Sequence, residues 1–352
     1  MLLALLWREH GNEITPPAPT GHVAVGRTTY AWVNDAQTDD LAPSPGVKRK
    51  VLAWIWYPAA GSQSATPVDY LPAPWRMADE RSLGVLMRFL TRDSSMVRAH
   101  SSSDPDISLE QQSYPVVIMR AGGGALTTDF TTLAEDLASH GYVVVGFDAP
   151  NRTRVVVFPD GRVVQRPAAD NPETLDSADQ VLLINKLLPM WTGDTQFVVD
   201  QLGRLNAADP SGNFTGRLDM RRLGMFGHSF GGATALQFCH DDSRCDIDGA
   251  PEGSVVREGL TQPFLFLLSD NGDLSAPEPR AVMNGIESIY DRLPNGRLLL
   301  FIRGANHFSF SDQILLKSHY VVELLQLLQG DLKVAVDSRS PPPTCIRSSM
   351  CI

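Results

Sequence analysis

Short apolar runs alternate with amphipathic stretches along most of the chain. Val51-Leu52-Ala53-Trp54-Ile55-Trp56-Tyr57 is almost wholly β-branched or aromatic and predicts a strand, and residues 22–33 alternate loosely just before it. The polar, proline-containing stretch 34–46 between them predicts an antiparallel pair at a sheet edge, with Pro58 stopping the second strand. Pro115-Val116-Val117-Ile118-Met119 predicts a buried strand, 128–140 a helix with Gly141 as its stop signal, and 142–147 the next buried strand. Strand, helix and strand at that spacing make a βαβ unit, so this part of the sheet is parallel. Residues 223–226, 263–268 and 297–302 predict three more strands, and 311–328 a last helix, apolar on most of its circumference.

Two stretches break the alternation, and both are read as insertions over one face of a single α/β domain spanning 21–335. In the first, 59–113, Leu83, Leu86, Met87 and Leu90 fall at helical spacing. That fits a core-packed helix first, and a lid or lipid-facing helix second. The second, 151–215, opens with a small hairpin around Asp160-Gly161. Two helices follow, 176–188 and 194–205, separated by Pro189 and Gly193 and expected to cover the mouth of a site. Residues 1–20 read as an N-terminal arm, extended from about residue 8, and 336–352 as a Pro-, Ser- and Cys-containing tail. The apolar start Met1 to Trp7 is short for a signal sequence, leaving a packed arm or the stump of a leader.

Composition narrows the function classes more than the fold. The 352 residues carry a net charge of −10, and no lysine/arginine block offers phosphates a landing surface, so no nucleic-acid partner is expected. Lys48-Arg49-Lys50 is the densest basic cluster and reads as the solvated start of a strand. No apolar stretch reaches the length of a membrane span. Of the four cysteines, Cys239 and Cys245 read as buried thiols, and Cys345 and Cys351 sit in the tail, where a local disulfide would suit export. The localisation stays open between secreted and cytoplasmic. No C-x-x-C and no histidine pair at zinc spacing occurs, so neither metal nor cofactor is implied.

The chemistry gathers at Gly227-His228-Ser229-Phe230-Gly231-Gly232, a G-x-S-x-G between a predicted strand and a predicted helix. The glycines spare a tight turn the Cβ atoms that would clash, and Ser229 is lifted clear beside free helix N–H groups. A serine hydroxyl needs a base, and three histidines follow it: His240, His307 and His319. His240 lies on the helix leaving the turn and His319 inside the last helix. His307, in Arg303-Gly304-Ala305-Asn306-His307-Phe308 after a buried strand, is where a loop would present the base. Asp246, Asp248, Asp270 and Asp273 are candidates for the acid. Generic spacing favours Asp270, while Asp248 ends a short strand ahead of a glycine. The oxyanion donors are expected to be the N–H groups of Phe230 and Gly123. A phosphate cradle at Gly122-Gly123-Gly124 matches neither the dinucleotide nor the P-loop spacing.

Gly-His-Ser-Phe-Gly-Gly-Ala-Thr at 227–234, Asp-Leu-Ala-Ser-His-Gly at 136–141, Trp56-Tyr57-Pro58 and Arg303-Gly304 with His307 together resemble the plasma/type II platelet-activating factor acetylhydrolase group of α/β-hydrolases. The resemblance runs from about residue 25 to 334. It implies an α/β-hydrolase fold, with a mostly parallel central sheet and helices on both faces. The implied activity is a serine carboxylic ester hydrolase using Ser229, His307 and an acid after the strand that follows the elbow helix, hence Asp248 rather than Asp270. It implies a small-molecule or lipid ester as substrate, short acyl chains first, with room for peripheral contact at a lipid surface. Cutinase-like or polyester hydrolysis comes next, and a catalytically silent lipid-binding relative is the reading from another class. Where the group has His-Gly before the oxyanion loop, this chain has Ala121-Gly122.

Overall fold

The computed structural model describes residues 2–61, 67–167, 177–242, 245–248, 253–269, 277–294 and 297–317. The chain opens with helix α1 (Leu2–His10), so the extended arm begins after His10. Strands β1 (Ala24–Thr38) and β2 (Lys48–Ala59) pair antiparallel as expected, followed by α2 (Ala73–Leu90) and a two-residue edge strand β3 (Ser102–Ser103) parallel to β1. The βαβ unit comes next: β4 (Tyr114–Arg120), a 3-10 turn at Thr127–Phe130, α3 (Thr131–Ser139) and β5 (Val143–Asp148), with β4 and β5 parallel. Gly141 follows α3 at φ 92°, a left-handed stop that a Cβ would strain. The hairpin is present as β6 (Val155–Val157) and β7 (Val163–Gln165).

Helix α4 (Ser177–Ala207) leads to β8 (Leu218–Gly227), α5 (Phe230–Asp241), β9 (Cys245–Asp248) and a short α6 (Val255–Glu258). Then come β10 (Phe264–Ser269), α7 (Pro277–Tyr290), β11 (Arg297–Ile302) and α8 (Gln313–Leu316). Nine strands form one sheet in the order β11-β10-β9-β8-β4-β5-β2-β1-β3, and from β11 through β5 every neighbour is parallel. All those strands therefore end on one edge, where the following loops must gather.

Residues of β2 divide cleanly between two cores. Val51, Ala53, Ile55 and Tyr57 pack with Val198, Leu202, Leu236 and Ile286 of α4, α5 and α7. Leu52, Trp54 and Trp56 pack with Trp75, Ala78, Ala134 and Ala138 of α2 and α3. Side chains alternate along a strand, so a sheet covered on both faces requires an unbroken apolar run. Among the described residues no helix is long and apolar enough to cross a membrane.

Four expectations are corrected. Pro58 does not stop β2: it pairs opposite Val25, beyond the reach of β5, so its missing N–H leaves no ladder bond unmade, and its carbonyl accepts from Ser108 N at 2.8 Å. The two helices of 176–205 are one, because Pro189 is exposed between buried Leu187, Leu188 and Trp191. The carbonyl freed at Asn185 lies on the same exposed face, open to water. Arg49 is not solvated: it is buried, ion-paired to Asp194 at 2.7 Å, and passes over Gly193 to donate to the carbonyl of Met190. Cys239 is not a thiol but half of a disulfide. The side chains of 83–90, the last helix beyond 317, and Cys345 and Cys351 lie outside the described residues.

Candidate active site

The turn from β8 into α5 holds Ser229 at φ 56°, ψ −124°, a conformation costing a non-glycine residue about 1–3 kcal/mol. The surroundings leave the chain no cheaper path. A Cβ on Gly227 would sit 2.1 Å from the carbonyl oxygen of Gly231, and one on Gly231 would sit 2.2 Å from that of Arg120. The turn is thus pressed against the end of β4, and His228 N donates to Arg120 O at 3.0 Å. Gly231 N donates back to His228 O at 2.9 Å, closing the bend.

The loop leaving β4 lies directly over the serine. A Cβ on Gly122 would come within 3.0 Å of Ser229 Cβ and 3.1 Å of His228 O, so only glycine lets the backbone approach this closely. Ala125 N donates to Gly122 O at 3.1 Å, and Gly124 follows at φ 77°, which curls the loop. Neither Gly123 N–H nor Phe230 N–H has a hydrogen-bond partner among the described residues. Phe230 begins α5 at the positive end of the helix dipole, and the N–H groups of Gly231 and Gly232 behind it are already engaged by His228 O and Ser229 O. The Phe230 ring packs edge-on to Trp191 of α4 at 4.8 Å, so the middle of α4 backs the first turn of α5.

His307 stands five residues beyond the end of β11, on the same edge of the sheet as Ser229. Its backbone carbonyl accepts a hydrogen bond from His228 Nε2 at 2.6 Å, and the two imidazoles are 4.4 Å apart. The loop after β11 and the elbow are therefore joined at the residue before the serine. His240 lies at the far end of α5 and is engaged there, with Gly259 O at 2.9 Å and Glu258 Oε2 at 3.0 Å. Asp248 is the last residue of β9, its Cα in register with Phe226 of β8 on one side and Leu265 of β10 on the other. Its side chain, Asp270, Asp273 and His319 lie outside the described residues. Among the described residues no group of three or more His, Cys, Asp or Glu is arranged to hold a metal ion.

Two pieces of support were invisible from spacing, because their partners are far apart in the chain. Arg154 donates to Asp129 Oδ2 at 2.9 Å and Asp79 Oδ1 at 2.5 Å, and to the Gly124 carbonyl at 3.3 Å, bracing the glycine loop after β4. Asp312 N donates to Asp129 O at 2.7 Å while its carboxylate accepts from Tyr70 OH at 2.9 Å and Thr132 N at 3.0 Å. Five residues past His307, this pins the loop after β11 to the start of α3.

The family described as platelet-activating factor acetylhydrolase, isoform II, matches residues 183–351, which include the elbow and the His307 loop. The chain is similar to the platelet-activating factor acetylhydrolases. A probable 1-alkyl-2-acetylglycerophosphocholine esterase of Arthroderma benhamiae is 27% identical over 165 residues, covering 43% of this chain and 36% of that protein. The platelet-activating factor acetylhydrolase of Cavia porcellus is 24% identical over 254 residues, 64% of this chain and 55% of its own. The chain thus spans less than two thirds of the length of these curated relatives. Among solved structures, a ferulic acid esterase from Streptomyces cinnamoneus superposes with a TM-score of 0.67 at 27% identity, covering 86% of this chain and 80% of that one. The fold is that of the α/β-hydrolases, with the mostly parallel sheet and two helical layers the resemblance implies.

Burial pushes the Asp312 carboxyl up to about 7 and that of Asp148 up to about 6. A carboxyl whose folded pKa is raised binds its proton more tightly when folded. Its contribution is complete below the unfolded value near 4 and is lost as pH rises through the folded one. Measured by urea unfolding, wild type is expected to lose stability relative to Asp312→Asn between pH 4 and pH 8, by about 4 kcal/mol at most for a shift of this size. Parallel profiles would show that the Asp312 carboxylate is not held against its ionisation.

Proposed function

We propose that the protein hydrolyses carboxylic esters through an acyl-enzyme formed on Ser229. The observation that carries this reading is the strained φ of Ser229 on a strand-to-helix turn, with the glycine loop after β4 packed against it and the N–H groups of Phe230 and Gly123 unpartnered among the described residues. Such strain persists where function requires it. Ser229 Oγ attacks the ester carbonyl as His307 takes its proton, with Asp248 holding the imidazole. The carbonyl oxygen becomes an oxyanion between Phe230 and Gly123 N–H, a preorganised stabilisation worth about 3–4 kcal/mol per donor. Collapse passes the proton to the leaving alkoxide, and water, activated by the same imidazole, releases the acid.

Short acyl groups, including those on phospholipid-like esters, are the substrates this reading favours, supported by the names of the curated relatives. Esters of phenolic acids are a second choice, favoured by the likeness to the ferulic acid esterase. Exposed Trp7 on α1 and Met77 on α2, two helices in contact, support a peripheral encounter with lipid surfaces.

A fluorophosphonate probe tests the reaction class. Wild type is expected to be labelled at Ser229, with the adduct located by peptide mass spectrometry, and Ser229→Ala is expected to remain unlabelled. A folded wild-type protein that takes up no label would end the enzyme reading. p-Nitrophenyl esters of increasing chain length, an acetylated phospholipid and ethyl ferulate then rank the substrates.

A further inference from the structure

His228 is named by the G-x-S-x-G pattern only as a filler, yet its side chain meets the loop after β11, the loop after β4 and Phe130. Its backbone is fixed to the end of β4 through Arg120 O and to α5 through Gly231 N. Its ring then reaches away from the serine. Nε2 meets the carbonyl of His307 at 2.6 Å, and the ring centroid lies 4.4 Å from that of His307 and 5.6 Å from that of Phe130. Nδ1 is turned to the oxyanion loop, 3.2 Å from where a Cβ on Gly122 would stand.

We propose that His228 is a positioning residue for the base: through its bond to the His307 carbonyl it sets where the His307 imidazole stands relative to Ser229. The proposal rests on the esterase reading above. A carbonyl only accepts, so Nε2 of His228 carries the proton, and the neutral ring leaves Nδ1 bare toward Gly122. Burial, and after it the neighbouring His307 imidazole, pushes His228 down to about 4, so it stays neutral where the base works. A neutral donor suits the place. Charge on His307 must develop during attack, and a permanently protonated neighbour would oppose it.

The base loop needs such a tie. Between the end of β11 and α8 the loop is ordered by backbone turns and by local side-chain bonds of Asn306, Ser309 and Ser311, all within the loop itself, and His307 is exposed. Asp312 anchors the far end of that loop on α3, and His228 is a contact that ties its middle to the elbow. Proton transfer demands a hydrogen-bond distance between serine and imidazole, and a displacement of about 1 Å can cost about 100-fold in rate.

The test compares side chains that keep or lose the donor. His228→Leu fills the volume without a proton to donate, and is expected to lower kcat on p-nitrophenyl acetate by about 10- to 100-fold with KM within about 3-fold. His228→Gln, long enough to reach the His307 carbonyl, is expected to recover most of kcat, while the shorter His228→Asn is not. In a His307→Ala background, His228→Leu is expected to change the residual rate less than 2-fold, because its effect runs through the missing base. Equal kcat for the Gln and Asn variants, or a full His228→Leu loss without His307, would overturn the assignment, and the Gln–Asn pair decides even where the Leu variant does not fold. Labelling of wild type by the fluorophosphonate separates this failure from failure of the esterase reading itself.

Discussion

His307→Ala is expected to slow hydrolysis of p-nitrophenyl acetate by about 10⁶-fold, or about 8 kcal/mol of transition-state stabilisation, with substrate binding little changed. A serine hydroxyl keeps its proton at neutral pH, so without a base the attack begins from the wrong protonation state. The variant retains its backbone carbonyl, so the bond from His228 remains and the loss reports the imidazole alone. His240→Ala is the comparison. Eleven residues along from Ser229, at the far end of α5, His240 is about 16 Å away by helical rise, and its ring is already occupied by Gly259 O and Glu258 Oε2. His240→Ala is expected to turn over within a few-fold of wild type, as is His319→Ala. A ranking that put either of them below His307→Ala would move the base elsewhere.

The parts of this protein legible in its sequence are those written by local pattern. The elbow is one of them, because a sterically closed bend tolerates only glycine at 227 and 231, and a strand and helix must flank it. The unbroken apolar run of β2 is another, since both faces of that strand are covered. Pro189 misled because a proline's effect on a helix depends on which face it occupies, and exposure is a property of the tertiary fold. Arg49 misled for a similar reason. Its charge is compensated by Asp194, 145 residues away, in a network shared with Arg152 and Asp39 that no spacing rule reveals. His228, Arg154 and Asp312 belong to this second kind: each acts through a partner brought near only when the sheet assembles.

Asp248→Asn is expected to lower kcat by about 10⁴-fold while leaving the fold intact. The carboxylate of a triad accepts the Nδ1 proton of the base and so leaves Nε2 free to take the serine proton. An amide in its place donates instead, favouring the ring tautomer whose Nε2 is already protonated, and it withdraws the negative charge that balances the imidazolium. The acid limb of the kcat/KM profile is therefore expected to move to lower pH in the variant, since the imidazole loses the partner that raises its pKa. Asp248 ends β9, hydrogen-bonded beside β8 and two strands from the β11 that leads to His307. Asp270 is the residue after β10, which pairs directly with β11, so the rates of the two variants separate the acids. Asp270→Asn and Asp246→Asn are expected to stay within about 10-fold of wild type. If Asp270→Asn were the variant with the 10⁴-fold loss and the shifted acid limb, the acid would belong to the loop after β10, and Asp248 would be a structural residue at the end of its strand.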